Sequence, residues 1–432
     1  MNTPFLRTSL LCFFLMAVPR GWAAETFQPV TAVLHVHSRY SDNGVRTVEQ
    51  IARQARDSGI KVVILADHDL QQCTYGIGPL KRWLNTSYRT RSVLNAGAQT
   101  YFDNIARANR EQPDVLLIGG VESTPFYWWE GSVFKKNLTL RDWHKHMVIT
   151  GLPNPAAYEH LPLIGNGSRC DQYHGSQGEK PYQQIIDYVN RVAPETGIVF
   201  WAHPEATDYA QPVRRDRVFL QTSPYPSSLR ATHDYTGFSI FQEGNKTIGS
   251  VGGFWDQMLT EYCRGSRDTP VWAAAESDYR DEGYLNTWMD SYTNTLMLDT
   301  HEAVTPSAVF RCLRAGRFYC TSAPHGRAPI ILDDYSLNRG TMSLQVRTRD
   351  NSRTSVTVTL IREGSAIAVR TAQTPVSLRF PAPARADRKT YYRVAINSPD
   401  RGTIITNPLF AEPTVSSAIP ALSSMPVRFY VE

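Results

Sequence analysis

Leu34-His35-Val36-His37 sets two imidazoles at i and i+2 at the close of the apolar run Val30 to Val36. Nothing else in the chain constrains its fold as much. On a strand, residues i and i+2 share a face, so both rings can reach one ion from a single strand end. A polar stretch through Ser41, Asp42, Asn43 and Gly44 follows and reads as a turn. The next apolar run, Lys61 to Ala66, closes on Asp67-His68-Asp69. Neutral imidazole combined with carboxylate suits Zn, Mn or Fe.

The same arrangement recurs down the chain. Strands are expected at Thr31 to His37, Lys61 to Ala66, Asp114 to Gly119, His146 to Thr150, Gly197 to Trp201, Phe238 to Phe241 and Val271 to Ala275. Helical periodicity marks Thr47 to Ser58, Asn95 to Asn109, Tyr182 to Ala193, Gly252 to Tyr262 and Thr305 to Ala315. Alternating strand and helix predicts an α/β fold with a parallel sheet, and repeated units close into a barrel, here a distorted seven-stranded (β/α)7 barrel. His35, His37, Asp67, His68, Glu122, His203 and Asp278 all fall at the carboxyl ends of strands, the edge where such barrels carry their sites. His146 breaks the rule, because it opens its run.

The ends of the chain read differently. Arg7, the apolar stretch Leu10 to Val18 and the small residues Gly21, Ala23 and Ala24 form a Sec-type signal peptide over residues 1–24. The mature protein is then expected to be periplasmic or secreted, with no membrane span. Cys73, Cys170, Cys263, Cys312 and Cys320 remain, an odd set in which Cys312 could pair with Cys320, or Cys263 with either. From about residue 328 short β-branched runs with turn residues between them predict a small all-β, sandwich-like domain over 328–432, in a packing or carbohydrate-binding role. The barrel domain would span 25–327. A net charge of +5 without a dense Lys/Arg tract gives no reason to expect a nucleic-acid partner.

His35, His37, Glu122 and Asp278 can hold one ion. Glu122, His146 and His203 can hold a second, with Glu122 bridging, and Asp42 with His68 a third. Two or three divalent ions (Mn, Zn or Fe) imply hydrolysis by a metal-bound hydroxide, with no Ser or Cys nucleophile required. Asp67 would orient His68 or shuttle a proton, and Arg39 and Arg280 would clamp an anionic, phosphorylated small-molecule substrate. Tyr127, Trp128, Trp129, Phe134, Trp255 and Trp288 suit an apolar substrate instead, as in hydrolysis of carboxylic esters, carbamates or amides. A non-catalytic, metal-stabilised binding protein is the remaining alternative.

Taken in order, His-Val-His-Ser-x-Tyr-Ser-Asp-x-Gly, Ala-Asp-His-Asp, Gly-Val-Glu and Ala-His-Pro resemble the polymerase-and-histidinol-phosphatase (PHP) superfamily over about Thr31 to Ala323. The resemblance implies a distorted seven-stranded barrel with two or three metals. By motif match His35 and His37 serve the first, Glu122 bridges, His146 and His203 serve the second, and Asp42 and His68 the third. Asp278 matches the aspartate of a terminal Asp-x-His, but Arg280 stands where the histidine would be, with His325 a possible substitute. The segment Arg317 to Ser322 and the β-rich tail are similar to exported members of a carbaryl-hydrolase-like branch, which includes ester and carbamate hydrolases.

Overall fold

The computed structural model describes residues 27–81, 83–163, 173–206, 213–215, 218–241, 244, 247–284 and 286–413. The expected signal segment and Cys170 lie outside the described residues.

Strand β1 (Phe27–Val36) is followed by helix α1 (Val48–Asp57), which buries Val48, Ile51, Ala52 and Ala55 and begins in a capping box between Thr47 and Gln50. Then come β2 (Val62–Leu65), buried throughout, and β3 (Asp67–His68). Helix α2 (Ala98–Glu111) leads to β4 (Leu116–Ile118) and β5 (Gly120–Ser123). β6 (Met147–Thr150), α3 (Lys180–Val192), β7 (Ile198–Trp201), β8 (Gly237–Ile240), α4 (Phe254–Cys263) and β9 (Trp272–Tyr279) complete this part.

β2 and β3 are one residue apart in the chain, and strand pairing runs outward from each. β1 pairs with β2, β2 with β4, and β3 with β5, all parallel. β5 pairs with β6 and β6 with β7, both antiparallel. β7, β8 and β9 pair in parallel, and β9 returns to β1 in parallel with Leu34 opposite Glu276. The expected parallel sheet is therefore corrected to a mixed one. The segment between β5 and β6 contains short strands but no crossover helix, so β6 starts at the rim where β5 ends and runs back. This places His146, just before β6, beside the carboxyl ends of the other strands.

β1 also serves a second partner. Its first half pairs antiparallel with β10 (Tyr292–Asp299), from Phe27 opposite Asp299 to Ala32 opposite Asn294. Where β9 and β10 diverge, two asparagine amides take the place of a strand. Asn294 accepts from the Ala275 amide and donates to its carbonyl, both at 2.8 Å. Asn407 accepts from the Ala273 amide at 2.9 Å and donates to its carbonyl at 3.2 Å. The wedge thus leaves these buried backbone groups bonded.

Helix α5 (Pro306–Arg314) precedes β11 (Phe318–Ser322), which pairs with β10. The expected β-rich tail is present as β12 (Ile330–Asn338), β13 (Thr341–Thr348), β14 (Ser355–Arg362), β15 (Ser365–Gln373), β16 (Val376–Pro381), β17 (Thr390–Ser398) and β18 (Gly402–Thr406). β12, β13 and β16 form a three-stranded sheet; β15, β14, β17 and β18 continue the large sheet through β11. Leu344, Val346, Val358 and Ile396 belong to the apolar cluster of this region. Asp256 of α4 and Arg393 of β17 form a buried ion pair at 2.6 Å.

Cys73, Cys263, Cys312 and Cys320 are all free, so neither candidate pairing among Cys263, Cys312 and Cys320 is made. Several aromatics expected to face a substrate are structural instead. Tyr127 and Trp129 pack with Leu138, Leu140 and Trp143 in a small separate core, and Trp255 is fully buried.

Candidate metal centre

His35 and His37 come together by a different route from simple strand alternation. β1 ends at Val36, and its register slips between Leu34 and Val36 against both neighbours. His35 sits at this bulge with φ of 69°, and His203 and Asp278 also have positive φ, 29° and 40°. Such bulges re-aim side chains, and left-handed backbone in non-glycine residues gathers at functional sites. The following loop is closed by Gly44, where a Cβ would fall 1.8 Å from the Ser38 carbonyl oxygen. Asp67 holds that loop: it accepts from the Ser38 amide at 2.7 Å and hydroxyl at 2.6 Å, and from the Ser41 amide at 3.1 Å and hydroxyl at 2.9 Å. Asp67 thus braces the turn that carries His37 and Ser41.

The hydrogen bonds on the outer ring nitrogens define the tautomers. His35 Nδ1 donates to Glu276. Ser41 gives its hydroxyl proton to Asp67, so it accepts from His37 Nδ1, 3.1 Å away. His146 Nε2 donates to the Trp143 carbonyl at 3.0 Å. Tyr225 donates to the Ala202 carbonyl and so faces His203 Nδ1 with a lone pair at 3.5 Å. Every remaining ring nitrogen is then a lone pair turned inward.

These lone pairs face one another and Glu122. His35 Nε2 and His37 Nε2 are 3.1 Å apart, and each lies 3.4 Å from Glu122 Oε2. Asp278 Oδ1 is 3.1 Å from His37 Nε2 and 3.8 Å from His35 Nε2. On the other carboxylate oxygen, Glu122 Oε1 lies 2.6 Å from His146 Nδ1 and 3.1 Å from His203 Nε2, which are 3.3 Å from each other. A tetrahedral ion with bonds of about 2.1 Å has donor–donor edges of about 3.4 Å. Donor spacings near that edge occur in two buried groups that could hold metal: His35, His37 and Glu122, and Glu122, His146 and His203.

His68 faces Glu122 Oε2 through Nδ1 at 3.1 Å and Asp42 through Nε2 at 3.9 Å. Among the described residues no third His, Cys, Asp or Glu joins His68 and Asp42 in a donor group. Asn43 Nδ2 instead lies 3.3 Å from His68 Nε2. His325 is far from substituting for a ligand: it is exposed and stacks on Trp288 at 4.3 Å.

Electrostatics follow from this crowding. Burial disfavours a charged His35, but Glu122 and Glu276 outweigh it and raise its pKa well above the imidazole range. Burial pushes the Glu122 carboxyl up, yet His146, His35 and His68 hold it well below its usual range. Burial lowers His146, and it lowers His68 and His144 strongly, with neighbouring imidazoles adding to the effect at His68 and His144.

The donors open into a cleft of about 360 Å³, lined by His68, Glu122, His146 and His203 together with Tyr88, Trp143, His144, Arg280 and Tyr284. Arg280 reaches it while ion-paired to Asp278 at 2.9 Å. Arg39 does not line this cleft: its Nε donates to the Val45 carbonyl at 2.8 Å, and the side chain borders a neighbouring cavity. Sequence reasoning missed Glu276, which takes the His35 proton donor and accepts from the His203 amide at 2.8 Å. The signal was present: Glu276 and Asp278 stand at i and i+2 on one strand.

Comparison with known proteins adds little. No family model matches the sequence, and no curated protein matches it. One solved structure, from Bifidobacterium adolescentis and named a metal-dependent phosphoesterase, aligns at 14% identity over 60% of this chain and 91% of that one, with a TM-score of 0.32. An engineered protein aligns at 11% identity over 84% of this chain and 80% of that one, with a TM-score of 0.17. Neither likeness enters the argument.

Proposed function

We propose that this protein is a metal-dependent hydrolase, and specifically a phosphoesterase acting on a phosphomonoester or phosphodiester. One observation carries the reading. Four imidazole nitrogens and both oxygens of Glu122 converge at 2.6–3.4 Å, an arrangement of donor atoms that divalent cations would satisfy. Two divalent ions bound there would polarise a phosphoryl group and lower the pKa of a water. Glu122 holds the two donor groups in register through its separate oxygens. Glu276 fixes the His35 tautomer, and Arg280, braced by Asp278, offers a guanidinium to an anionic group in the cleft. We further propose that the frame is a distorted seven-stranded β/α barrel, a reading supported by the run of pairings from β3 through β9 and β1 to β2, with β2 and β3 one residue apart in the chain. Export rests on residues 1–24 alone, and the mass of the mature N-terminus tests it.

A second reading, hydrolysis of carboxylic esters, carbamates or amides, is favoured by an apolar cavity of about 130 Å³ lined by Cys73, Trp129, Leu140 and Leu220. It shares Tyr88 and Trp143 with the metal cleft. The experiment is an assay of the purified mature chain, with bound metal quantified, on p-nitrophenyl phosphate, bis-p-nitrophenyl phosphate and 1-naphthyl esters. Phosphate release that Glu122→Gln abolishes is the expected result. Ester turnover without phosphate release would replace the first reading by the second, and bound metal without turnover would leave a binding protein.

A further inference from the structure

A second cavity, of about 950 Å³, opens beside the metal cleft. Arg39, Arg89 and Arg91 line it, with Asp42 its one carboxylate. Asp42 lines the metal cleft too, so the two spaces meet at that residue. They meet again along one strand: Tyr88 borders the cleft and Arg89, its neighbour in the chain, borders the cavity.

Each arginine is exposed and is tethered through one guanidinium nitrogen. Arg39 Nε donates to the Val45 carbonyl at 2.8 Å, Arg89 Nε to Asn95 Oδ1 at 2.5 Å, and Arg91 Nη2 to the Asp42 carbonyl at 3.4 Å. A guanidinium carries five N–H donors in a planar fork, and these bonds use one from each. Among the described residues none of the three arginines has an ion pair with a carboxylate. Three oriented cations around an open space, against one carboxylate, make a field that selects oxyanions.

We propose that this cavity is a subsite for a second oxyanion of the substrate. The scissile phosphoester occupies the metal cleft against Arg280, and a phosphate or carboxylate elsewhere on the same molecule sits on Arg39, Arg89 and Arg91. The substrate class is therefore a bis-anionic phosphoester, and this rests on the phosphoesterase reading above. Arg39 accordingly acts in substrate selection, at a distance from the reacting atoms.

The test compares three probes on the metal-loaded protein: a hexose monophosphate, the corresponding hexose bisphosphate and 3-phosphoglycerate. The bisphosphate should exceed the monophosphate in kcat/KM by about tenfold or more, the scale of one charge-assisted hydrogen bond. Enhancement with the phosphoglycerate as well would assign the subsite to oxyanions in general; enhancement with the bisphosphate alone would assign it to phosphate. Arg89→Gln with Arg91→Gln should collapse the preference toward unity through KM, and added salt should weaken it in the unsubstituted protein. A preference that is absent, or that survives both this double variant and Arg39→Gln, overturns the subsite. Equilibrium binding of the bisphosphate by calorimetry is measured in parallel. Binding that depends on Arg89 and Arg91 without any phosphate release keeps the subsite and overturns the phosphoesterase reading. Phosphate release from all probes without preference does the reverse.

Discussion

The strand-end cluster and the Asp256–Arg393 pair both bury charge, but their hydrogen-bond arithmetic is opposite. Around Asp256 every lone pair has a donor. Oδ1 accepts from Arg393 Nε at 2.7 Å and from the Tyr391 hydroxyl at 2.9 Å; Oδ2 accepts from Arg393 Nη2 at 2.6 Å and from the Gly252 amide at 2.7 Å. Arg393 also lies over the Trp255 ring, 4.6 Å from its centroid. That pair is complete, and it ties α4 to β17. Around Glu122 acceptors meet acceptors, and completion needs a cation from outside. Two clusters with similar residue types can thus be told apart by whether their donors and acceptors balance.

The largest effect should come from breaking the unbalanced cluster. Glu122→Gln replaces one bridging oxygen by an NH₂ group, and phosphate release should fall by about 10³-fold with loss of bound metal, while the folded state survives. Metal analysis and single-turnover assays check this; retention of two ions would separate the clusters from the chemistry. The balanced cluster should behave in the contrary way. Asp256→Ala strands a buried guanidinium and should cost about 3–5 kcal/mol of stability, read from denaturant unfolding, with metal content unchanged in the folded fraction. If metal content dropped with stability, the two regions would not be independent.

Glu276→Gln sharpens the contrast further. The His35 ring would lose its carboxylate partner while all direct donors remain, so metal affinity should fall by about 10–100-fold in a chelator competition. An unchanged affinity would remove Glu276 from the site. The smallest effect is expected from Asn407→Ala, which removes the acceptor of the Ala273 amide in the β9–β10 wedge, leaves its carbonyl only the Cys320 thiol, and should cost about 1–3 kcal/mol. Chemical denaturation with an activity assay in parallel checks that the loss is one of stability.

Much of the donor set was legible because the donor types are rare on buried strands and their spacing recurs. His35, His37, Glu122, His146 and His203 converge as their positions implied, and Arg280 does border the cleft. Glu276 was harder to see, since its neighbour Asp278 satisfied the motif first. The loop partners of Asp67 were not legible, because the four donors it accepts from are set by how the turn after β1 folds back. Tyr127, Trp129 and Trp255 belong to cores, Trp129 also bordering the small apolar cavity, because aromatic content marks core and cleft alike and only packing distinguishes them.

The sequence by itself determined where strands end and which donors stand at those ends, because side-chain period and hydrophobic run length are local properties. Tertiary structure decided the direction of β6, which explains why His146 stands at the start of its strand and still meets the other donors, since strand direction depends on how the connecting segment returns. It decided the bulge at His35, which depends on two neighbouring strands at once. It also decided which nitrogen of each ring faces inward, because that follows from an acceptor contributed by a distant part of the chain.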